Sequence, residues 1–179
     1  MAGQVTPTKS ALINTKKSLS LAKVGYELMD RKRNILIREA MSLIDVANEI
    51  QQLIDTTYSE AYKALQRANI TLGINDEAAL SVPIDNGVNI KYHSVMGIEI
   101  PSVEYTESPE KNYYGIINTR ASLDEAYVKF DKVKKLTVKL AEIENSVYRL
   151  ASAIKKTQKR ANSLKNITIP KLEHDVKFI

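Results

Sequence analysis

The sequence predicts a mainly α fold: a long antiparallel two-helix coiled coil, with a small central segment that contains a β-hairpin. Three observations predict it. A seven-residue apolar rhythm runs from Leu12 to Ala68 and returns from Ala126 to Leu164. Six Gly and five Pro in 179 residues leave few breakers inside those stretches. Between them the pattern changes to strict apolar–polar alternation, the period of a half-buried strand.

The N-terminal helix spans residues 8–68 by this reading. One seam series is Leu12, Leu19, Tyr26, Arg33, Ala40, Ala47, Ile54, Ala61, Ala68; its offset partner is Thr15, Ala22, Met29, Leu36, Leu43, Ile50, Thr57, Ala64. Only Arg33, Thr15 and Thr57 are not apolar. A heptad sustained over this length means a coiled coil. Pro7 and Thr8 mark the start, with Thr8 as the cap. About 60 helical residues give roughly 90 Å at 1.5 Å per residue. Gly25, inside the helix, either lets another backbone approach closely, the favoured reading, or is simply tolerated at a cost of about 1 kcal/mol against Ala.

The central segment, residues 69–112, begins after Asn69 and Gly73. Asn75 to Leu80 fit a short helical turn, and Val82 to Val88 are rich in turn residues. Val88, Ile90 and Tyr92 alternate with Asn89, Lys91 and His93, and Ile98 to Tyr105 alternate again around Pro101. A hairpin over roughly 87–105 follows, turning within Ser94 to Gly97, with Pro101 marking an edge strand or a bulge.

The C-terminal helix occupies 113–179. Its seam reads Ala126, Val133, Leu140, Val147, Ile154, Ala161, with Lys129, Leu136, Ile143, Leu150, Thr157, Leu164 beside it; ten of these twelve are apolar. Pro170 predicts a kink or a break. The two stripes close only against each other. Folding back puts Ala68 near Asn118, Thr8 near residue 178, and Arg33 opposite Ala153 or its neighbours. Both termini then share one tip. Arg33 either snorkels to solvent, pairs with a nearby acid, or sets the register.

Composition narrows function. With no Cys there is no disulfide, thiolate zinc site or thiol catalysis. No apolar run approaches the ~18 residues of a membrane span, and no basic-then-apolar leader opens the chain. Charge is segregated: residues 1–68 carry ten Lys/Arg and seven Asp/Glu, 69–115 two and seven, 116–179 fourteen and seven. Such a field steers different partners to the two ends, although a solvated helix face beside an acidic loop looks the same. No phosphate loop or nucleophile–base set can be assembled. His93 and His174 read as ordinary surface or interface histidines, and adjacent Asp124 and Glu125 point in different directions on a helix. Lys155, Lys156, Lys159 and Arg160 form a basic patch suited to phosphates or an acidic surface. No aromatics interleave it, which argues against a single-strand nucleic-acid binder. Tyr58 and Tyr62, one turn apart, are a candidate docking site or a widened core.

Three motifs carry a family resemblance. Pro7-Thr8-Lys9-Ser10, with Leu12, Lys16, Leu19, Ala22, Gly25, Leu28, Met29, Lys32 and Arg33, resembles the N-terminal signature of the D subunit of V-type and archaeal-type (V/A) rotary ATPases. Val95-Met-Gly-Ile-Glu-Ile-Pro101 is similar to that family's central motif, as is Ile154-Lys-Lys-Thr-Gln-Lys-Arg-Ala-Asn-Ser-Leu164 followed by Ile169-Pro170. Thr15 and Asp30 depart from an expected Leu and basic residue, and Ala161 from a larger aliphatic. The family continues past this point, so a C-terminal truncation is expected.

The resemblance implies a central-stalk rotor shaft, non-catalytic and without cofactor or metal. It would turn inside a ring of catalytic A and B subunits and join the F subunit and a membrane-rotor socket subunit of the C/d type. The location would be peripheral, on the cytoplasmic face of the membrane, with no nucleic acid and no membrane insertion. Expected ring contacts are Lys9, Lys16, Lys17, Arg149, Lys155, Lys156, Lys159 and Arg160. Tyr58 and Tyr62 would meet F. Val88, Ile90, Tyr92, Ile98, Ile100 and Tyr105 would form a regulatory hairpin. The rival readings are a prefoldin-like coiled-coil chaperone and a helical-arm nucleic-acid-binding module.

Overall fold

A computed structural model describes residues 6–73, 80–106, 114 and 121–179 of the chain. Two long helices pack against each other, and a small two-stranded antiparallel hairpin lies between them in sequence. The elements are α1 (Lys9–Leu72), β1 (Val88–Val95), β2 (Ile98–Tyr105), α2 (Ala121–Ser163), a π turn (Leu164–Thr168) and α3 (Ile169–Phe178). The chain divides into two compact units, Met1–Met41 with Tyr148–Ile179, and Ser42–Val147.

Helix α1 starts as its capping chemistry dictates. The Thr8 hydroxyl accepts a hydrogen bond from the Ala11 amide at 3.2 Å. At the other end Gly73 takes φ +74° and its amide caps the Asn69 carbonyl at 2.9 Å. The helix therefore runs four residues past Ala68, stopping where glycine permits the left-handed turn. The expected turn over Asn75 to Leu80 falls mostly outside the described residues, as does the expected start of the second helix at Tyr113.

The heptad seam is the core. On α1 the buried side chains are Ala22, Leu36, Ala40, Ile54, Ala61, Ala64 and Ala68, all members of the two series. On α2 they are Ala126, Val133, Leu150, Thr157 and Ala161, and one residue outside the pattern, Ser146. Thr157 and Ser146 each donate to the carbonyl four residues back, Ala153 and Glu142, both at 2.8 Å. That satisfies a buried hydroxyl that would otherwise cost about 1–3 kcal/mol.

In the terminal unit the register differs from expectation. Arg33 donates to Gln158 at 3.1 Å instead of meeting Ala153, five residues earlier. It also pairs with Asp30 at 2.6 Å, so the acid that departs from the family pattern neutralises the polar interruption of the seam. Gly25 admits no close backbone: a Cβ there would sit 3.9 Å from the Leu164 side chain, an ordinary contact.

Pro170 does not break the helix. Ile169 N–H bonds to Leu164 O, five residues back, which opens one π turn ahead of the proline. The extra residue rephases the seam. A strict heptad beyond Leu164 would present Thr168, Lys171, Asp175 and Phe178. After the shift Ile169, Leu172, Val176 and Ile179 continue it, and all four are half-buried while Lys171 and Phe178 are exposed. Thr168 and Asp175, beside the seam, are half-buried as well. Glu173 then pairs with Lys23 of α1 at 2.8 Å.

In the other unit the hairpin pairs Val88 with Tyr105 through Val95 with Ile98. Met96 (φ 51°) and Gly97 (φ +75°) make a two-residue turn with both φ positive, as tight hairpins require. Pro101 sits inside β2 opposite Tyr92, on a strand whose other edge is unpaired among the described residues.

Candidate functional site

The charged candidates lie on the terminal unit. Lys9, Lys16 and Lys17 on α1, and Arg149, Lys155, Lys156, Lys159 and Arg160 on α2, are all exposed. They form two clusters. The Arg33–Gln158 bond sets the α2 cluster level with the Arg33 stretch of α1. Lys17 lies 16 residues earlier on α1, about 24 Å along the axis. The same unit exposes Leu21, Val24, Leu28 and Ile35, at helical spacing on one face of α1 and apart from the seam. This stripe lies off the heptad, although its 3–4–7 spacing is readable in the sequence.

Tyr58 and Tyr62 stack at 6.0 Å, and Tyr62 meets Phe130 of α2 edge-on at 5.6 Å. Tyr62 remains 54% exposed, so the pair is part packing and part surface.

The hairpin residues divide by strand. Val88, Ile90 and Tyr92 of β1 are exposed. Ile98 and Tyr105 of β2 are half-buried, and Ile100 and Pro101 are buried. Strand β2 lies against α2, where the Ser146 hydroxyl shares its one proton between the Glu142 carbonyl at 2.8 Å and the Pro101 carbonyl at 3.4 Å. This explains why Ser146 is buried off the heptad.

A polar cluster at the hairpin base was not legible as a site. The Asp85 carboxylate accepts from the Lys134 ammonium at 2.7 Å, from the Tyr105 hydroxyl, and from the Gly87 amide at 2.9 Å. Lys134 bonds also to Asp131 at 2.9 Å and lies 5.4 Å from the Tyr105 ring centre. The Lys134 ammonium, then the Tyr105 hydroxyl and the Gly87 amide, hold Asp85 well below the usual carboxylate range. Burial pulls Lys134 down, but its bonds to Asp85, Tyr105 and Asp131 outweigh that and leave it raised. Gly87 is obligatory here, because any Cβ would collide with the Thr106 carbonyl, while the Gly87 carbonyl accepts from the Thr106 amide at 2.9 Å. Asp85 and Lys134 also line a cleft of about 330 Å³ with Val82, Ile84, Tyr127 and Phe130. Next to it, burial and then a hydrogen bond to Asp124 push the Tyr114 hydroxyl up to about 12.

A family model described as the ATP synthase D subunit matches residues 11–179. The chain belongs to the ATP synthase D-subunit family. It is 42% identical over 177 residues to the V-type ATP synthase D subunit of Thermotoga neapolitana, covering 98% of this chain and 87% of that one. The A-type ATP synthase D subunit of Thermococcus kodakarensis is 37% identical over 180 residues, covering 98% and 84%. That of Pyrococcus horikoshii is 33% identical over 181 residues, covering 98% and 85%.

The D-subunit motifs coincide with structural special points. The N-terminal signature contains the Thr8 cap and Arg33. The central motif, Val95 to Pro101, contains the hairpin turn and the two most buried hairpin residues. The third contains the α2 basic cluster and leads into the π turn. Thr15, one of the departures, donates to the Ala11 carbonyl at 2.8 Å, and Ala161, another, is fully buried. Among the described residues no helix is long and apolar enough to cross a membrane.

Proposed function

We propose that the chain is the central-stalk rotor shaft of a V/A-type ATP synthase. It transmits torque between a catalytic ring of A and B subunits and the membrane ion-translocating rotor, in ATP synthesis or ATP-driven ion transport. It is non-catalytic and works peripherally on the cytoplasmic face. The observation that carries this reading is the heptad seam, which pairs α1 with α2 in each of the two units of a D-subunit chain. Torque needs torsional stiffness, and two helices locked by a/d packing resist twisting better than either alone.

The terminal unit supplies the ring contact. Its two basic clusters and the exposed Leu21, Val24, Leu28 and Ile35 stripe are broad, shallow features. A shaft that slides past successive ring conformations needs such complementarity more than one deep pocket. The F subunit docks at the Tyr58–Tyr62 pair, and the hairpin tunes coupling near the C/d-type socket. Reversing Lys155, Lys156, Lys159 and Arg160 to Glu should lower ring affinity and weaken its salt dependence. Unchanged binding at moderate salt would rule the basic face out. Tyr58→Ala with Tyr62→Ala should weaken the complex with F; a complex of full strength would move that site elsewhere.

A further inference from the structure

We propose that Asp85, clasped by Lys134, Tyr105 and the Gly87 amide, is a positioning joint that fixes the orientation of the hairpin on α2, and that this fixed orientation is what lets the hairpin act on coupling. The inference rests on the reading that the hairpin tunes coupling.

A two-stranded hairpin alone is marginal and needs packing to hold a direction. Two of the ties between β2 and α2 stand at separated points. One is the neutral bond from Ser146 to Pro101, at 3.4 Å. The other is the Asp85 cluster. The α2 anchors, Lys134 and Ser146, lie twelve residues apart, about 18 Å. The β2 anchors, Tyr105 and Pro101, lie four residues apart, about 13 Å. Ties at separated points along both elements fix a direction better than ties gathered at one.

The two points are unequal. Asp85 gathers three donors on one carboxylate, one of them charged, and charge-assisted bonds are roughly twice as strong as neutral ones. Its placement also matters. Asp85 precedes β1 and Tyr105 ends β2, so one lysine of α2 holds both ends of the hairpin. The Thr106–Gly87 bond closes the base beside it. Asp131, one turn before Lys134, anchors the ammonium from its own helix and also bonds Lys135 at 3.0 Å. The cation is thus preplaced for Asp85. The exposed face of β1, with Val88, Ile90 and Tyr92, takes its aim from this joint.

The test uses the assembled complex. The chain has no cysteine, so Met96→Cys and Lys139→Cys place spin labels on the hairpin turn and on α2. The distance between them and the ions moved per ATP are measured for wild type, Lys134→Met, Asp85→Asn, Lys134→Arg and a variant lacking residues 88–105. The expected result is a single narrow distance in wild type and Lys134→Arg. In Lys134→Met and Asp85→Asn the distribution should broaden and coupling should fall to the level of the deletion. A narrow distance in Lys134→Met overturns the joint. So does wild-type coupling in a variant whose distances have broadened. If the deletion itself couples like wild type, the hairpin reading fails first, and the distance data still report on the joint.

Discussion

The two units of the chain solve different problems with the same pair of helices. The terminal unit is helix against helix, with Leu36 and Leu150 as its largest fully buried side chains. The central unit keeps Ile54 on its α1 seam, then narrows to Ala61, Ala64 and Ala68, each no more than 1% exposed, and adds a hairpin that buries Ile100 and is tied by polar groups. The first unit places its largest fully buried side chains, two leucines, between the helices. The second gives up apolar volume along Ala61 to Ala68 for close packing there, and carries an attached element. A heptad repeat alone therefore specifies the pairing of the helices, while off-repeat polar residues specify what the pair carries.

The sharpest break of this comparison is in the terminal seam. Leu36→Ala or Leu150→Ala should cost about 2–5 kcal/mol in urea unfolding, the range for a buried leucine whose cavity cannot collapse. A loss below about 1 kcal/mol would mean that the seam there is not a packed core. In the central unit the sign of the size change reverses. Ala64→Leu overfills a position with no spare volume and should destabilise by about 1–3 kcal/mol.

Inserting one alanine after Asn166 would rotate the tail by about 100° and turn Ile169, Leu172 and Val176 off the seam. The expected loss is about 2 kcal/mol for partial exposure of three aliphatic side chains, and with it the Lys23–Glu173 pair. An insertion that leaves stability unchanged would show that α3 does not depend on its phase.

The joint adds a pH dependence. Asp85 is depressed in the folded chain, so its contribution is complete above the ordinary carboxylate range near pH ~4. It is lost as pH falls below that toward the lower folded value. Unfolding measured from pH 7 down to 3 should show a slope at the acid end that Asp85→Asn reduces. Equal slopes in both proteins would deny the carboxylate its role. The smallest effect is at the hairpin turn, where Met96 adopts a left-handed conformation that favours Asn or Gly. Met96→Asn should stabilise by about 0.5 kcal/mol, seen as greater amide protection in β1 and β2.

Much of this was readable in advance. The seam, the Thr8 cap and the hairpin follow from period and turn chemistry, because each is a local rule. The register missed by five residues at Arg33, since periodicity gives the face of a helix but not its sliding position. The π turn was present as a one-residue slip of the apolar phase at Ile169, masked by the attention Pro170 attracts. The joint was invisible for another reason. Asp85 and Lys134 are 49 residues apart, and Asp85-Asn86-Gly87 is an ordinary turn sequence until a lysine from α2 meets it.

The central claim is rotation. Met96→Cys, the sole cysteine in the chain, can carry a probe on the hairpin turn while the chain is assembled with an immobilised catalytic ring. Under ATP the probe should revolve in one direction, one probe per ring, and stop when ATP is exhausted. A probe that stays fixed while the ring hydrolyses ATP would contradict the shaft reading and leave a stationary structural component.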